Sequence, residues 1–227
     1  MVAVWSGVIS EPSRRPGETR GDRTVKARPV LFGSAALGLV GLAKVYGLTV
    51  RGALTLDSGI GRRVRPLGPI EVRIAADPDT VFDIIAAPYL SKTPHAMETK
   101  LRVVERGTDM VLAEHFTDVG RGQTAITVET VRFERPHTIS FRLVRGPVPQ
   151  VTETFDLRPD DGGTAFTYTG EMGADFWALG AWWADQVAAK WEKTVEASVA
   201  SVKEEAERQA VKPRRPAKAP KTTPKQS

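Results

Sequence analysis

Apolar and polar residues alternate along most of the stretch from residue 71 to residue 172, a pattern typical of β-strands with one buried face. The last six of the predicted strands are separated by short loops such as Arg106–Asp109 and Asp160–Gly163. Loops this short join antiparallel neighbours, because a parallel pair needs a crossover of a dozen residues or more. The pattern therefore predicts a seven-stranded antiparallel sheet. Its strands are Glu71–Ala75, Thr99–Glu105, Met110–Thr117, Gln123–Glu134, Thr138–Leu143, Val151–Arg158 and Ala165–Met172.

Two helical patterns accompany the strands. Short helices are predicted after the first strand. In the first of them Asp77 supplies the N-cap and Pro78 the first helical position, and Tyr89–Ala96 is expected to hold a further short helical turn. A much longer helix is predicted from Asp175 to about Gln209, and it carries four of the five tryptophans near its start. Its expected inward stripe is Phe176, Leu179, Trp183, Val187, Trp191, Val195, Ser198 and Val202. Packing this stripe on the apolar face predicts an α+β fold, with a curved sheet around a long C-terminal helix and a cavity between them.

Alternation along the strands and the helical stripe places a set of aromatic and acidic side chains on faces expected to point inward. The two carboxylates in this set are costly to bury unless each is hydrogen-bonded, paired or neutral. They are either polar groups of a ligand cavity or residues whose strands reach solvent. On the same alternation, His115 is expected to be exposed. The candidate cavity residues are Glu114, Phe116, Phe141, Glu153, Phe155, Tyr168, Trp183 and Trp191.

The remaining chain shows clear shifts in composition. Residues 29–50 form an apolar segment, and its uncharged part, Val30–Ala43, is only fourteen residues long. A single membrane anchor, a cleaved export signal and a soluble packed helix all fit this length. The first makes the protein membrane-associated, the second exported and the third cytoplasmic. The predicted organisation is a disordered basic region at 1–28, an apolar segment and candidate membrane helix at 29–50, a connector at 51–69, a folded domain at 70–209 and a disordered basic tail at 210–227.

The formal net charge of +5 comes entirely from the two basic ends, because the chain between them has more acidic than basic residues. Such ends bind anionic lipid or nucleic acid non-specifically, or simply keep a protein soluble. No specific nucleic-acid binding is expected, because basic residues on the strands do not interleave with aromatic ones. His95, His115 and His137 lack the spacing of metal ligands, and Gly59-Ile60-Gly61 lacks the third glycine of a dinucleotide fingerprint. We therefore expect no metal and no cofactor.

Two stretches carry a resemblance to a known family. The first is Ile70-Glu71-Val72-Arg73-Ile74-Ala75-Ala76-Asp77-Pro78-Asp79-Thr80-Val81-Phe82-Asp83, and the second is Asp161-Gly162-Gly163-Thr164-Ala165-Phe166-Thr167-Tyr168, followed by the tryptophan-rich helix. Together they resemble the START-like (SRPBCC) helix-grip superfamily, which includes bacterial polyketide cyclase/dehydrase and lipid-transport-like proteins. The resemblance covers about residues 70–209. It implies a hydrophobic cavity between the sheet and the long helix, and it carries over no catalytic set.

Three functions remain open at this point. The first is binding or transport of a hydrophobic small molecule or lipid, with Glu114 or Glu153 orienting its polar end. The second is a polyketide cyclase/dehydratase-type enzyme in which a Glu or Tyr carries a proton. The third is a membrane-tethered interaction module that uses the basic tail, with the membrane contacted through residues 29–50. The oligomeric state is not indicated by the sequence.

Overall fold

The computed structural model describes residues 41, 43–91, 99–120 and 122–211. Predictions made for residues 1–28, for most of the segment 29–50, for His95 and for residues 212–227 lie outside these ranges. The elements are α1 (43–50), β1 (Arg63–Ile74), α2 (Pro78–Leu90), β2 (Leu101–Arg106), β3 (Met110–Gly120), β4 (Gln123–Glu134), β5 (Thr138–Arg145), β6 (Gln150–Asp160), β7 (Gly163–Ala174) and α3 (Trp177–Val211).

All seven strands form one antiparallel sheet with the order β1-β7-β6-β5-β4-β3-β2. Strands β2 to β7 follow one another as a meander, and β1 pairs with the last strand, β7. The inner face of the sheet packs against α2 and α3 around one hydrophobic core. The predicted α+β helix-grip fold is confirmed.

Strand β1 begins at Arg63, seven residues before the expected start of the folded domain at Ile70. The early half of the strand is held in place by Leu67, whose side chain is fully buried. A register shift between Leu67 and Ile70 lets pairing with β7 continue past the Gly68–Pro69 step. The connector predicted at 51–69 therefore contributes its second part to the sheet.

Helix α2 forms as its sequence predicts. Asp77 caps it by accepting a hydrogen bond from the backbone N–H of Thr80 (2.9 Å), and Pro78 is its first residue. The helix ends at Leu90, with Pro88 in its last turn. Its buried face points at the sheet and at α3, so α2 covers one end of the space enclosed by the sheet. The buried residues of this face are Val81, Phe82, Ile85, Ala86 and Tyr89.

The inward stripe of α3 differs from the expected one. Phe176 and Leu179 are exposed, and small residues occupy the centre of the buried stripe instead. Small side chains at these positions allow α3 to approach the sheet closely. The predicted stripe residues Trp183 and Trp191 are half-buried beside it. The buried positions along α3 are Gly180, Ala184, Ala188, Thr194, Val195, Val199 and Ala206.

The charged run Lys203–Gln209 in the last turns of α3 predicts a solvated overhang, and this prediction is wrong. Ala206 is fully buried, and the carboxylate of Glu207 accepts a hydrogen bond from the backbone N–H of Ala75 (3.0 Å). Lys203 donates to the carbonyl of Arg73 (2.6 Å). The end of α3 is thus attached to the end of β1.

Helix α1 lies beside the start of α3, where Tyr46 packs edge-on against Trp183 with 5.9 Å between ring centroids. Within the described ranges, no helix combines the length and the apolar character needed to cross a membrane.

Candidate ligand-binding site

A cavity of about 200 Å³ lies between α2, the inner face of the sheet and the second half of α3. Glu153 on β6 is the only carboxylate in its lining, as far as the described residues show. Pro88 on α2 is half-buried and Ser201 on α3 is exposed, so the cavity opens between these two helices. The apolar walls are formed by Ile84, Ile85, Leu101, Phe141, Phe155 and Val202.

Glu153 is almost fully buried, and two donors from different elements fix its carboxylate. The hydroxyl of Tyr168 on β7 donates to Oε1 of Glu153 (2.9 Å), and the indole N–H of Trp191 on α3 donates to the same oxygen (2.7 Å). The neighbouring strand places Tyr168 because Glu153 pairs with Gly170 and Phe155 with Tyr168 in the β6–β7 register. Both described donors use one oxygen, which leaves the other available to a ligand.

The protonation of Glu153 is set by competing effects. Burial, together with the nearby charge of Glu129, raises the pKa of Glu153 to about 7. The hydrogen bonds from Trp191 and Tyr168 act in the opposite direction by favouring the carboxylate. Near neutral pH, Glu153 therefore exists in both forms, so it can either accept or donate a hydrogen bond.

A second network of buried polar side chains lies on strands β3 and β4 of the same sheet. The hydroxyl of Thr127 donates to Oε1 of Glu129 on β4 (2.8 Å), and Nδ1 of His115 lies 3.3 Å from Oε2 of Glu129. Nε2 of His115 is 3.0 Å from the hydroxyl of Tyr89, which lines the cavity. Tyr89 therefore links this network to the cavity wall.

Burial determines the charge states of this network. It raises the pKa of the Glu129 carboxyl and lowers the pKa of His115 well below its usual value. Burial also raises the pKa of Tyr89. Nδ1 of His115 makes no hydrogen bond within the described part of the chain. His115 is therefore neutral at physiological pH, and it does not compensate a negative charge on either buried carboxyl.

The structure brings five of the eight candidate residues together. Phe141, Glu153 and Phe155 line the cavity, while Tyr168 and Trp191 hold the Glu153 carboxylate from behind. The ring centroids of Phe141 and Phe155 are 5.0 Å apart, and those of Phe155 and Tyr168 are 5.8 Å apart. These side chains form one continuous aromatic wall.

The other three candidates lie elsewhere. Glu114 and Phe116 occupy the outer face of β3, where Arg102 donates to the Glu114 carboxylate. Trp183 lies near the opposite end of α3, where its indole N–H donates to the carbonyl of Pro147 (2.8 Å). The expectation that His115 is exposed is wrong, because the buried positions of β3 are the alternate set, Val111, Ala113 and His115.

Sequence reasoning missed Tyr89, His115 and Glu129. On β3 the large apolar residues Leu112 and Phe116 lie on the outer face and remain half-buried, so residue size pointed to the wrong side. On β4 the alternation does indicate that Glu129 faces inward, because it lies two residues before Val131, which is fully buried. Threonines on both faces of β4 hid that signal.

Similarity to solved structures supports the fold. The Zhui aromatase/cyclase from Streptomyces sp. R1128 is 18% identical, covering 65% of this chain and 96% of that one with a TM-score of 0.54. A protein from Thermus thermophilus is also 18% identical, covering 64% of this chain and 99% of that one with a TM-score of 0.51. At this level of identity the likeness concerns the fold alone. No curated protein sequence matches the chain.

The sequence itself identifies the family. The profile described as polyketide cyclase/dehydrase and lipid transport matches residues 70–207, which is more than half of the chain. The matched region runs from the second half of β1 to the last turns of α3, and it contains every residue of the Glu153 and Glu129 networks. The chain belongs to the polyketide cyclase/dehydrase and lipid transport family.

Proposed function

We propose that this protein binds a hydrophobic small molecule or lipid-like compound with one polar group in the cavity between α2, α3 and the sheet. The observation that carries the proposal is the buried carboxyl of Glu153 in a mostly apolar lining, whose other polar side chains carry only hydroxyl groups. Ligand sites typically combine apolar walls with a few fixed polar groups. Here the fixed group is held by Tyr168 and Trp191, which need no rearrangement when a ligand arrives.

The cavity size limits the ligand. At about 200 Å³ it is smaller than most sites for drug-sized molecules, so we expect a compact body of one or two rings or a short chain. Burial of apolar ligand surface contributes about 25 cal/mol per Å². A ligand that buries on the order of 150 Å² would therefore gain roughly 4 kcal/mol before the costs of association.

A plug at the mouth tests this proposal. Ser201 lines the opening and is exposed, so Ser201→Trp should block entry with little effect on folding, whereas Ala200→Trp places the same side chain on the adjacent exposed position outside the cavity. We expect the neutral two-ring fluorescent probe 2-naphthol to bind the wild type and Ala200→Trp with similar affinity. Ser201→Trp should bind it at least about tenfold more weakly.

Two results would contradict the proposal. The first is equal probe binding by wild type and Ser201→Trp, which would place the probe outside this cavity. The second is a wild type that binds no probe and that native mass spectrometry finds empty after purification from its host.

We propose as a second candidate a cyclase- or dehydratase-type reaction with Glu153 as the proton carrier. A general acid or base works best when its pKa lies near the working pH, and the pKa of Glu153 is about 7. Turnover of a polyketide-type carbonyl compound should then fall at least about a hundredfold in Glu153→Gln, while the variant still binds the compound. Unchanged turnover in Glu153→Gln would remove Glu153 from the chemistry.

We also propose that the protein contacts a membrane surface through an aromatic patch, defined as Phe176, Trp177, Leu179 and Trp182 at the start of α3. Trp177 and Trp182 are each 58% exposed and Leu179 is 69% exposed. Indole rings are favoured at the membrane–water interface, and exposed apolar patches mark interaction surfaces. The apolar sequence 29–50 enters the described structure beside this patch, through α1.

Backbone geometry supports a role for the aromatic patch. Phe176 and Trp177 have φ angles of +73° and +50°, which bulky residues rarely adopt and which cost roughly 1–3 kcal/mol each. Hydrogen bonds from their N–H groups to the carbonyls of Ile60 (2.8 Å) and Gly61 (2.9 Å) maintain this conformation. The result is that two large aromatic side chains are held at the surface.

Vesicle sedimentation tests the contact. The double variant Trp177→Ser/Trp182→Ser should bind phosphatidylcholine vesicles at least about tenfold more weakly than the wild type. The control Val104→Ser/Val144→Ser removes two exposed apolar side chains elsewhere and should bind like the wild type. Equal binding by both double variants would contradict the role of the aromatic patch. If Trp177→Ser/Trp182→Ser still binds vesicles, but only when they contain phosphatidylglycerol and only at low salt, the membrane contact is made by the basic tail instead.

A further inference from the structure

The ionisable groups buried in the described part of the chain are unevenly charged. Apart from the tyrosines Tyr89 and Tyr168, they are Glu129, Glu153, His115 and Asp175, and no lysine or arginine is among them. Asp175 lies apart from the cavity and is paired with Arg62 (2.7 Å). Within the described residues, the cavity region therefore contains two carboxyls and no buried positive charge, since His115 is neutral.

Such an arrangement selects among ligand charges. A carboxylate ligand beside Glu153 would place like charges together in a water-poor space, which is unfavourable. A protonated amine would instead supply the missing counter-charge and form a charge-assisted hydrogen bond. A neutral hydroxyl would gain only an ordinary hydrogen bond.

The aromatic rings that line the cavity also favour a cationic ligand. The rings of Tyr89 and Phe141 are 6.2 Å apart and those of Phe141 and Phe155 are 5.0 Å apart, so three rings follow one another along the cavity lining. The indole of Trp191 approaches Glu153 from α3. Ring faces attract cations, so a carboxylate beside several rings suits an ammonium group.

We propose that the ligand of this cavity carries a protonated amine that pairs with Glu153, while its apolar body lies against Phe141 and Phe155. This inference rests on the proposed binding function and specifies the class of ligand: a small aryl or alkyl amine. A fatty acid or other anionic lipid does not fit the charge of the site.

Proton linkage follows from this pairing. A bound cation lowers the pKa of Glu153, so binding near neutral pH releases a proton, and affinity rises as the pH passes upward through about 7. The other titratable groups that face Glu153 are Tyr168 on β7, Glu129 on β4 and, through the second network, Tyr89 and His115. The raised pKa values of the tyrosines and the lowered pKa of His115 keep these three neutral, so only Glu129 titrates together with Glu153.

Isothermal titration calorimetry with three matched probes tests the inference: naphthylethylamine, naphthylethanol and naphthylacetate share one aromatic body and differ in head-group charge. At a pH of about 8 we expect the wild type to bind the amine at least about tenfold more tightly than the alcohol, and the carboxylate most weakly. Titration at a pH of about 7 in two buffers of different ionisation enthalpy should show proton release with the amine alone. Glu153→Gln should narrow the preference for the amine to less than about threefold, and Glu171→Gln, an exposed position on β7, should keep it.

The outcomes separate the two proposals. An alcohol that binds as tightly as the amine, or a carboxylate that binds best, overturns the inference and leaves the cavity a ligand site. Failure of all three probes to bind overturns both. The head-group comparison is made on the wild type, so it does not depend on the folding of any variant.

Discussion

At the scale of single residues, Glu153 combines burial with a position between two donors. Tyr168 and Trp191 belong to different elements, so the carboxylate joins the last strand to the long helix as well as lining the cavity. A buried acid that stays near its titration point at neutral pH is unusual outside functional sites. The same residue must therefore leave a signature in the pH dependence of stability.

That signature can be predicted in sign. The pKa of Glu153 rises from 4.5 to about 7 on folding, so the stability it contributes is fully present below about pH 4.5 and is lost as pH rises through about 7. Between pH of about 5 and 8, the free energy of unfolding of the wild type should fall relative to Glu153→Gln, by up to about 3 kcal/mol. Urea unfolding at several pH values measures this difference. A constant difference between wild type and Glu153→Gln would show that the carboxyl titrates normally.

Asp175 illustrates the opposite case at the start of α3. Its carboxylate accepts hydrogen bonds from Arg62 (2.7 Å) and from the backbone N–H groups of Ser58 (2.6 Å) and Gly59 (2.8 Å). The Arg62 guanidinium, helped by these N–H groups, holds the pKa of Asp175 well below its usual range. The stability it contributes is present above the ordinary carboxyl pKa and is lost as pH falls through the lowered one.

Asp175→Asn should therefore destabilise the protein by about 2–3 kcal/mol at neutral pH, because it removes charged hydrogen bonds from a buried position. The loss should shrink as the pH is lowered, since the wild-type carboxylate becomes protonated. Asp185→Asn is the control: its ion pair with Arg65 (3.1 Å) is exposed, so the change should cost less than about 1 kcal/mol. Thermal unfolding that ranks the two variants equally would contradict this account.

At the scale of elements, α3 shows how small residues position a long helix. Gly180 is an extreme case, because a Cβ atom there would lie 1.6 Å from the carbonyl oxygen of Asp175. Ala184 and Ala188 continue the close approach further along the helix, and both are buried. The large residues Trp183 and Trp191 lie to the side, where their indole N–H groups can reach acceptors.

Neighbouring alanines provide a direct test of this packing. Ala188 is fully buried against the sheet, whereas Ala189 is exposed. Ala188→Leu should destabilise the protein by about 1–3 kcal/mol through overpacking, and Ala189→Leu should change stability by less than about 0.5 kcal/mol. Chemical unfolding of both variants measures the difference. If Ala188→Leu is tolerated as well as Ala189→Leu, α3 does not lie as close to the sheet as described.

The elements themselves were predictable from sequence, but two of their faces were not. Strand alternation placed Glu153 and Phe155 correctly, because β6 has large apolar residues on one face and threonines on the other. It failed on β3, where Leu112 and Phe116 are outside and the smaller Val111 and Ala113 are inside. Residue size is a poor guide where a helix approaches the sheet so closely that small side chains fill the interface.

At the scale of the whole molecule, the order of elements carried the fold. Six strands joined by short loops pair with their neighbours in sequence, so few strand orders are possible for this sheet. The main long-range contact that the sequence did not indicate is the pairing of β1 with β7. The charge balance of the cavity was not predictable in this way. It depends on Glu129 and His115, which come from different strands and meet only in the folded molecule.

The cavity and the aromatic patch should act independently. Ser201 lines the cavity mouth and Trp182 belongs to the aromatic patch, so the two sites occupy different parts of α3. We expect Trp177→Ser/Trp182→Ser to bind 2-naphthol within about twofold of the wild type, as judged by fluorescence titration. Ser201→Trp should in turn bind vesicles like the wild type. A loss of probe affinity in the double variant would show that the patch and the cavity are coupled.

The length of α3 also sets a distance. Trp182 and Ser201 are about 28 Å apart along this helix, at a rise of about 1.5 Å per residue. That length is close to the thickness of the hydrocarbon layer of a bilayer. With α3 standing along the membrane normal, a molecule resting on lipid through its tryptophans would hold its cavity entrance about that far from the lipid. Its ligand would then arrive from solution or from another protein, and not by sliding out of the membrane beneath it.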